Sequence, residues 1–137
     1  MQDKLDRFIK AQENDYIKAL NEIKAGKKTG HWIWYIFPQI DGFGKSITSK
    51  FYAIKDINEA KAYLNHELLG NRLKEISAEL LKLEENNVQN ILKFPDDLKL
   101  KSSMTLFAQV DEEDNVFNKV LEKYFDGKVD IKTIEKL

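Results

Sequence analysis

Apolar residues return at intervals of three and four along most of this chain, the spacing that lines one face of an α-helix. Between Lys4 and Gln12 they are Leu5, Phe8, Ile9 and Ala11, with Asp3 placed to cap the first turn and Asn14 to interrupt the pattern. A short amphipathic helix is expected there. A second, starting at Asp15, sets Tyr16, Ile17, Leu20 and Ile23 on one face and stops at Gly26, a residue suited to the left-handed position past a helix end. Lys24, Lys27 and Lys28 crowd that carbonyl-rich terminus, where the helix dipole favours positive charge. Ile47, Phe51 and Ile54 keep the same spacing with Tyr52 on another side, and Asp56 and Glu59 have the capping-box interval for a helix through Tyr63 and Leu64. From His66 to Leu83 runs the longest clean pattern: Leu68, Leu69, Leu73, Ile76, Leu80 and Leu83. Gly70, near its start, reads either as a break between two helices or as a weak link costing about 1 kcal/mol relative to alanine.

The second half continues in kind. Val88 to Leu92 makes a short helical turn, and Phe94-Pro95-Asp96-Asp97 a corner at which either aspartate is placed to cap a helix from Leu98 to Val110. An acidic break, Asp111 to Asp114, precedes a helix carrying Val116, Phe117, Val120, Leu121, Tyr124 and Phe125 that Gly127 ends, and Asp130 caps a last turn. The segment Trp32 to Phe37 is rich in strand-favouring residues, but no second alternating run exists to pair with it, so a short buried helix ended by Pro38 is expected. Asp41-Gly42-Phe43-Gly44 then forms a loop. The expected architecture is all-α (mainly α), a single compact bundle of about eight short helices filling residues 1–137 as a single helical domain.

Composition narrows the functional classes. A chain of 137 residues is long enough to bury a core without disulfides or metals. Its 22 basic and 23 acidic residues are interleaved, which argues against a protein built to bind nucleic acid or an anionic membrane, while leaving room for a local basic patch. Cysteine is absent, so there is no disulfide, thiolate metal site or cysteine nucleophile, and a reducing cytoplasm is the expected compartment. The charged start, Met-Gln-Asp-Lys-Leu-Asp-Arg-Phe, does not resemble a signal peptide, and no apolar run approaches the roughly 20 residues of a spanning helix. A soluble protein without a cofactor is expected.

Candidate chemistry gathers in two stretches. In His31-Trp32-Ile33-Trp34-Tyr35-Ile36-Phe37-Pro38-Gln39, His31 is suited to proton transfer or hydrogen bonding near neutral pH, or is simply a loop histidine. The aromatic side chains suit either a stacking surface or the core, and a helix would turn Trp32 and Trp34 about 200° apart, one inward and one towards a pocket edge. Gln39 offers both a donor and an acceptor. The other stretch is Leu98 to Phe107, where Ser102 and Ser103 sit in mid-helix, a position serine does not prefer. Lys99, one turn before Ser103, would share a face with it and hold an anionic group; close helix packing around the serines, with Lys99 in solvent, accounts for them as well. Neither Gly42-Phe43-Gly44-Lys45-Ser46, which lacks Walker spacing and a preceding strand, nor a serine–lysine nucleophile pair without an elbow motif supports a more specific chemistry. His66 and the adjacent Asp96 and Asp97 belong to no cluster with metal-ligand spacing, so no metal is expected.

Several of these runs together resemble the bacterial family known as domain of unknown function 1810, whose members are sometimes labelled calpastatin. The likeness rests on Leu5-Asp6-Arg7-Phe8 with Ala11-Gln12, Gly30 through Gln39, Tyr52-Ala53-Ile54, Ala62-Tyr63-Leu64, Leu69-Gly70 with Arg72-Leu73, Asp96 through Leu100, and Ser102 through Phe107. Glu67 departs from it, standing where a proline is common. The resemblance implies a small, mainly helical, soluble bacterial domain and carries no established activity with it. The calpastatin label fits poorly, because an inhibitor of that kind is disordered whereas this chain has the apolar periodicity of a folded domain.

Two functional readings follow. In one, a pocket between the His31–Gln39 segment and the Lys99–Ser103 helix binds, or hydrolyses, a nucleotide-like or other anionic small molecule, lined by His31, Trp32 or Trp34, Gln39, Tyr52, Lys99 and Ser102 or Ser103. The alternative is a protein-interaction or self-association module with no catalytic activity, docking through the aromatic segment.

Overall fold

A computed structural model describes residues 2–137, with side chains from Lys4 onward, and its first helix, α1, runs unbroken over Gln2–Lys24. The expected interruption at Asn14 does not occur; Asn14 is exposed on the outer side of a continuous helix. The residue that hid the continuity is Gln12, polar yet 1% exposed, which completes a buried stripe through Leu5, Phe8, Tyr16, Ala19, Leu20 and Ile23. Asp3, the expected cap, lies outside the residues whose side chains are described.

Along that helix, polar side chains hold the irregular segment that follows. Glu22 Oε1 accepts from Thr29 N (2.7 Å), Gly30 N (2.8 Å) and Trp32 Nε1 (2.9 Å). Asp15 accepts from the Tyr35 hydroxyl, and Gln12 Nε2 donates to Tyr35 O (2.8 Å) and the Tyr63 hydroxyl (3.0 Å). Arg7 donates to Phe51 O (2.8 Å) and Ala53 O (3.0 Å) and pairs with buried Glu59 at 3.2 Å. At 100° per residue these four side chains fall within an arc of about 140° on the helix.

The segment they hold contains α2 (Ile33–Ile36) and α3 (Ile47–Phe51). The first buries Ile33 and Ile36, in keeping with a short buried helix. The second departs from expectation: Ile47 is 89% and Phe51 56% exposed, and only Ile54 is buried. Their common spacing spans the end of a five-residue helix, so it describes no single face. Ile54 instead forms an isolated parallel bridge with Ile40, with Ile54 N on Gln39 O and Asp41 N on Ile54 O, both at 2.8 Å. Residues 41–53 are therefore an excursion tied shut at its base. There is no strand among the described residues.

α4 (Ile57–Asn65) starts at the expected cap, Asp56 Oδ1 accepting from Glu59 N at 2.9 Å. His66 separates it from α5 (Glu67–Lys82) and caps the latter through Nδ1, which accepts from Leu69 N at 3.3 Å. Gly70 is neither break nor weak link: a Cβ there would lie 2.0 Å from the Leu64 carbonyl oxygen, so its bare Cα lets the end of α4 press against α5. After a 3-10 turn at Val88–Asn90 come α6 (Asp96–Ala108), α7 (Val116–Phe125) and α8 (Ile131–Glu135). α6 packs against α7, α4, α8 and α2, and its run Ser102 to Phe107 is wholly buried, which is why it lacks a one-sided apolar pattern. It begins before Leu98, and neither aspartate caps it; Pro95 holds that position. Asp96 pairs with Lys28 (2.8 Å) and Lys99 (3.5 Å), and Asp97 accepts from Gln89 at 3.2 Å.

Two substitutions test this arrangement. Gly70→Ala raises helix propensity, yet we expect it to destabilise by about 1–3 kcal/mol because the neighbour it meets is backbone; an unchanged chemical-denaturation midpoint would contradict the close approach. Burial of Glu22 works to raise its pKa, but the N–H groups of Gly30, Thr29 and the Trp32 indole outweigh that and hold it below the ordinary value. Its stabilisation is therefore present at neutral pH and lost as pH falls through the folded-state value. Glu22→Gln should cost about 1–3 kcal/mol at pH 7 and lose less stability than the parent on acidification to about pH 3.

Candidate functional site

The way α2 meets the core decides what faces outward. Trp32 turns in, 2% exposed, its indole N–H on Glu22 and its ring tilted against Phe37 at 6.1 Å. Trp34, two residues on, is only partly buried and forms one wall of a cleft of about 690 Å³. Gln39, the loop residues Phe43, Lys45 and Ser46, and Ser49 of α3 complete that side. α6 supplies Leu98, Lys99, Lys101 and Ser102 opposite, and the chain entering α8 closes the third side with Val129, Asp130, Ile131 and Lys132. A slot of about 10 Å³, shared by Trp34, Gln39, Phe43 and Tyr52, opens beside it beneath the loop.

The cleft is thus aromatic and aliphatic in its walls and cationic in its charge. Lys45, Lys99, Lys101 and Lys132 line it against one carboxylate, Asp130. Lys99 Nζ stands 5.0 Å from the centre of the Trp34 ring, a cation–π contact, and 3.5 Å from Asp96. Asp130 is fixed from several directions: its Oδ2 accepts from Ser102 Oγ (2.8 Å) and Thr133 Oγ1 (2.6 Å), and its N–H donates to Thr105 Oγ1 (2.9 Å). It stands at the N-cap of α8 without accepting a backbone N–H there, binding hydroxyls instead, so the short helix is fastened to α6.

Of the residues singled out from the sequence, Trp34, Gln39, Lys99 and Ser102 meet around this cleft and Tyr52 stands in the adjoining slot. His31, Trp32 and Ser103 do not line it. His31 is exposed on the approach to α2, its carbonyl oxygen 3.5 Å from the Tyr35 hydroxyl that donates to Asp15. Ser103 points into the core, fully buried, its hydroxyl without a partner. Lys101, Lys132 and Asp130 join the cleft without having stood out as ligand-binding candidates. Only Asp130 carried a signal, as a helix cap; the others are surface lysines until the chain folds. No group of three or more metal-ligating side chains occurs among the described residues, and no helix there is long and apolar enough to cross a membrane.

The paired serines are separable by mutation. Ser102→Ala removes the bridge to Asp130 and should cost about 1–2 kcal/mol, whereas Ser103→Ala removes an unpaired buried hydroxyl and should be neutral or stabilising by up to about 1 kcal/mol. Urea denaturation of the two variants checks the order; a larger loss at Ser103 would contradict these placements.

Comparison with known proteins agrees with this architecture. The sequence profile of the family described as protein of unknown function (DUF1810) matches residues 2–137. The crystal structure of the conserved hypothetical protein Rv1873 from Mycobacterium tuberculosis, at 1.38 Å, superposes with a TM-score of 0.94 and 42% sequence identity, over 97% of this chain and 95% of that one. Among curated proteins, none matches the chain.

Proposed function

The chain belongs to the DUF1810 family, whose description assigns no activity, and from its side chains we propose that the cleft binds a small anionic molecule with an aromatic or apolar part, of the nucleotide kind. The observation that carries this reading is the indole of Trp34 in a cleft with four lysines and one carboxylate. An aromatic wall offers a π-face to a flat ring, while lysines supply charge for a phosphate or carboxylate. The cleft of about 690 Å³ lies within the range of about 300–1,000 Å³ usual for small-molecule sites. Low-dielectric walls strengthen the attraction the lysines exert on an anion entering between them. Gln39 adds a side-chain amide suited to a base edge.

A protein-docking face is the competing reading, and it draws on Leu98 and Ile131, 49% and 65% exposed on the same cleft. The lysines weigh against it, since interface cores are depleted in lysine.

Thermal-shift and tryptophan-fluorescence titrations with ribonucleoside monophosphates, sugar phosphates and uncharged nucleosides distinguish the two. The phosphorylated compounds should raise Tm and quench fluorescence, more weakly at high salt; Trp34→Phe should abolish most of the quench, and Lys99→Gln should weaken binding about three- to tenfold. A flat response across all three compound classes, with self-association on concentration by light scattering, would overturn the binding reading in favour of the docking one.

A further inference from the structure

Asp130 is the anomaly of the cleft. A carboxylate among lysines weakens the attraction for an anion, and this one does not neutralise any of them: no lysine lies within ion-pair distance of it among the described residues, although Lys99, Lys101 and Lys132 line the same cleft. Its hydrogen bonds are lopsided. Both hydroxyl donors, Ser102 and Thr133, converge on Oδ2, at 2.8 and 2.6 Å, while Oδ1 accepts from no described residue. Oδ1 is without a partner yet not fully buried, on a partly buried residue that lines the cleft, so this second oxygen keeps some contact with solvent. The backbone is pinned too, through the Asp130 N–H on Thr105 Oγ1 at 2.9 Å. An ionised carboxylate only accepts hydrogen bonds, so whatever meets Oδ1 must carry donors.

We propose that Asp130 Oδ1 reads the hydroxyl groups of a sugar, making the cleft selective for phosphorylated ribosides over their deoxy counterparts. The inference rests on the nucleotide-like reading above and adds the part of the ligand that the carboxylate recognises. A molecule that is anionic at one end and rich in hydroxyls beside it satisfies both the lysines and the aspartate. A plain aromatic anion satisfies only the lysines. The selectivity follows because a ligand lacking the hydroxyls leaves the carboxylate facing the ligand's hydrocarbon, stripped of water and unpaired. Ser102 and Thr133 are positioning residues: by occupying Oδ2 they fix which oxygen faces the cleft. Asp130→Asn is the informative change. Its amide oxygen takes over the bonds from Ser102 and Thr133, and its NH₂ group then replaces an acceptor with a donor at the cleft side.

The test is calorimetric titration of the intact chain with ribonucleoside 5′-monophosphates and their 2′,3′-dideoxy analogues, for the parent protein and Asp130→Asn, with thermal melts to verify that the variant is folded. We expect the parent to prefer the ribo form by about tenfold or more and Asp130→Asn to bring the two within about twofold of each other. Binding of both forms by the parent with equal affinity would overturn the role of Asp130 while leaving the nucleotide-like reading in place. Binding of neither form would overturn that reading and this inference together. The comparison within the parent protein decides the matter even where the variant fails to fold.

Discussion

What the rest of the molecule depends on is the docking of an irregular segment onto one straight helix by polar side chains. Residues 29–54 contain only two short helices and one isolated bridge, too little regular structure to hold their own shape. Their position is imposed from α1 by Glu22 on residues 29–32, by Asp15 and Gln12 on Tyr35, and by Arg7 on Phe51 and Ala53. Gln12 is the most constrained of these. It sits fully inside the core, donates to Tyr35 O and the Tyr63 hydroxyl, and accepts from Arg72 at 3.4 Å. Removing one member of such a network leaves buried polar groups unpaired, a larger penalty than the loss of one hydrogen bond.

From that docking the cleft follows. With Trp32 drawn inward by Glu22, the turn of α2 presents Trp34 outward towards α6. α6 is itself fixed by burial on nearly every side, so Lys99 and Ser102 face Trp34 from a rigid support. α8 completes the third side because Asp130 gathers hydroxyls from α6 and from its own first turn. The Trp34 wall is thus held by contacts on the far side of α2, and the α6 and α8 walls are tied to each other through Ser102 and Asp130.

Most helices were legible from spacing alone, since an apolar periodicity as long as that of α5 suits a helix and little else. The misreadings share a cause. The stripe on α1 runs past Asn14 by way of Gln12, a polar residue whose burial only its partners Tyr35 and Tyr63 account for. Ile47 and Phe51 suggested a buried face that a five-residue helix does not bury. The site was legible in part: the opposed directions of Trp32 and Trp34 follow from helix geometry, and the oddity of paired serines in mid-helix marked α6. Whether a serine serves the cleft or the core depended on which side of α6 meets α8, a tertiary fact. Much of the motif that carries the family resemblance is architectural in this light, Arg7, Gln12, Trp32 and Gly70 among it.

It is α1, through its polar side chains and not local structure, that holds the aromatic segment and with it the cleft wall. Native-state hydrogen exchange on a Gln12→Met variant tests it most directly. Amides of Ile36, Phe37, Asp41 and Ile54, which are hydrogen-bonded within the held segment, should lose protection selectively while those of α5 and α7 retain theirs. Uniform loss across the protein, or unchanged protection in the segment, would contradict it.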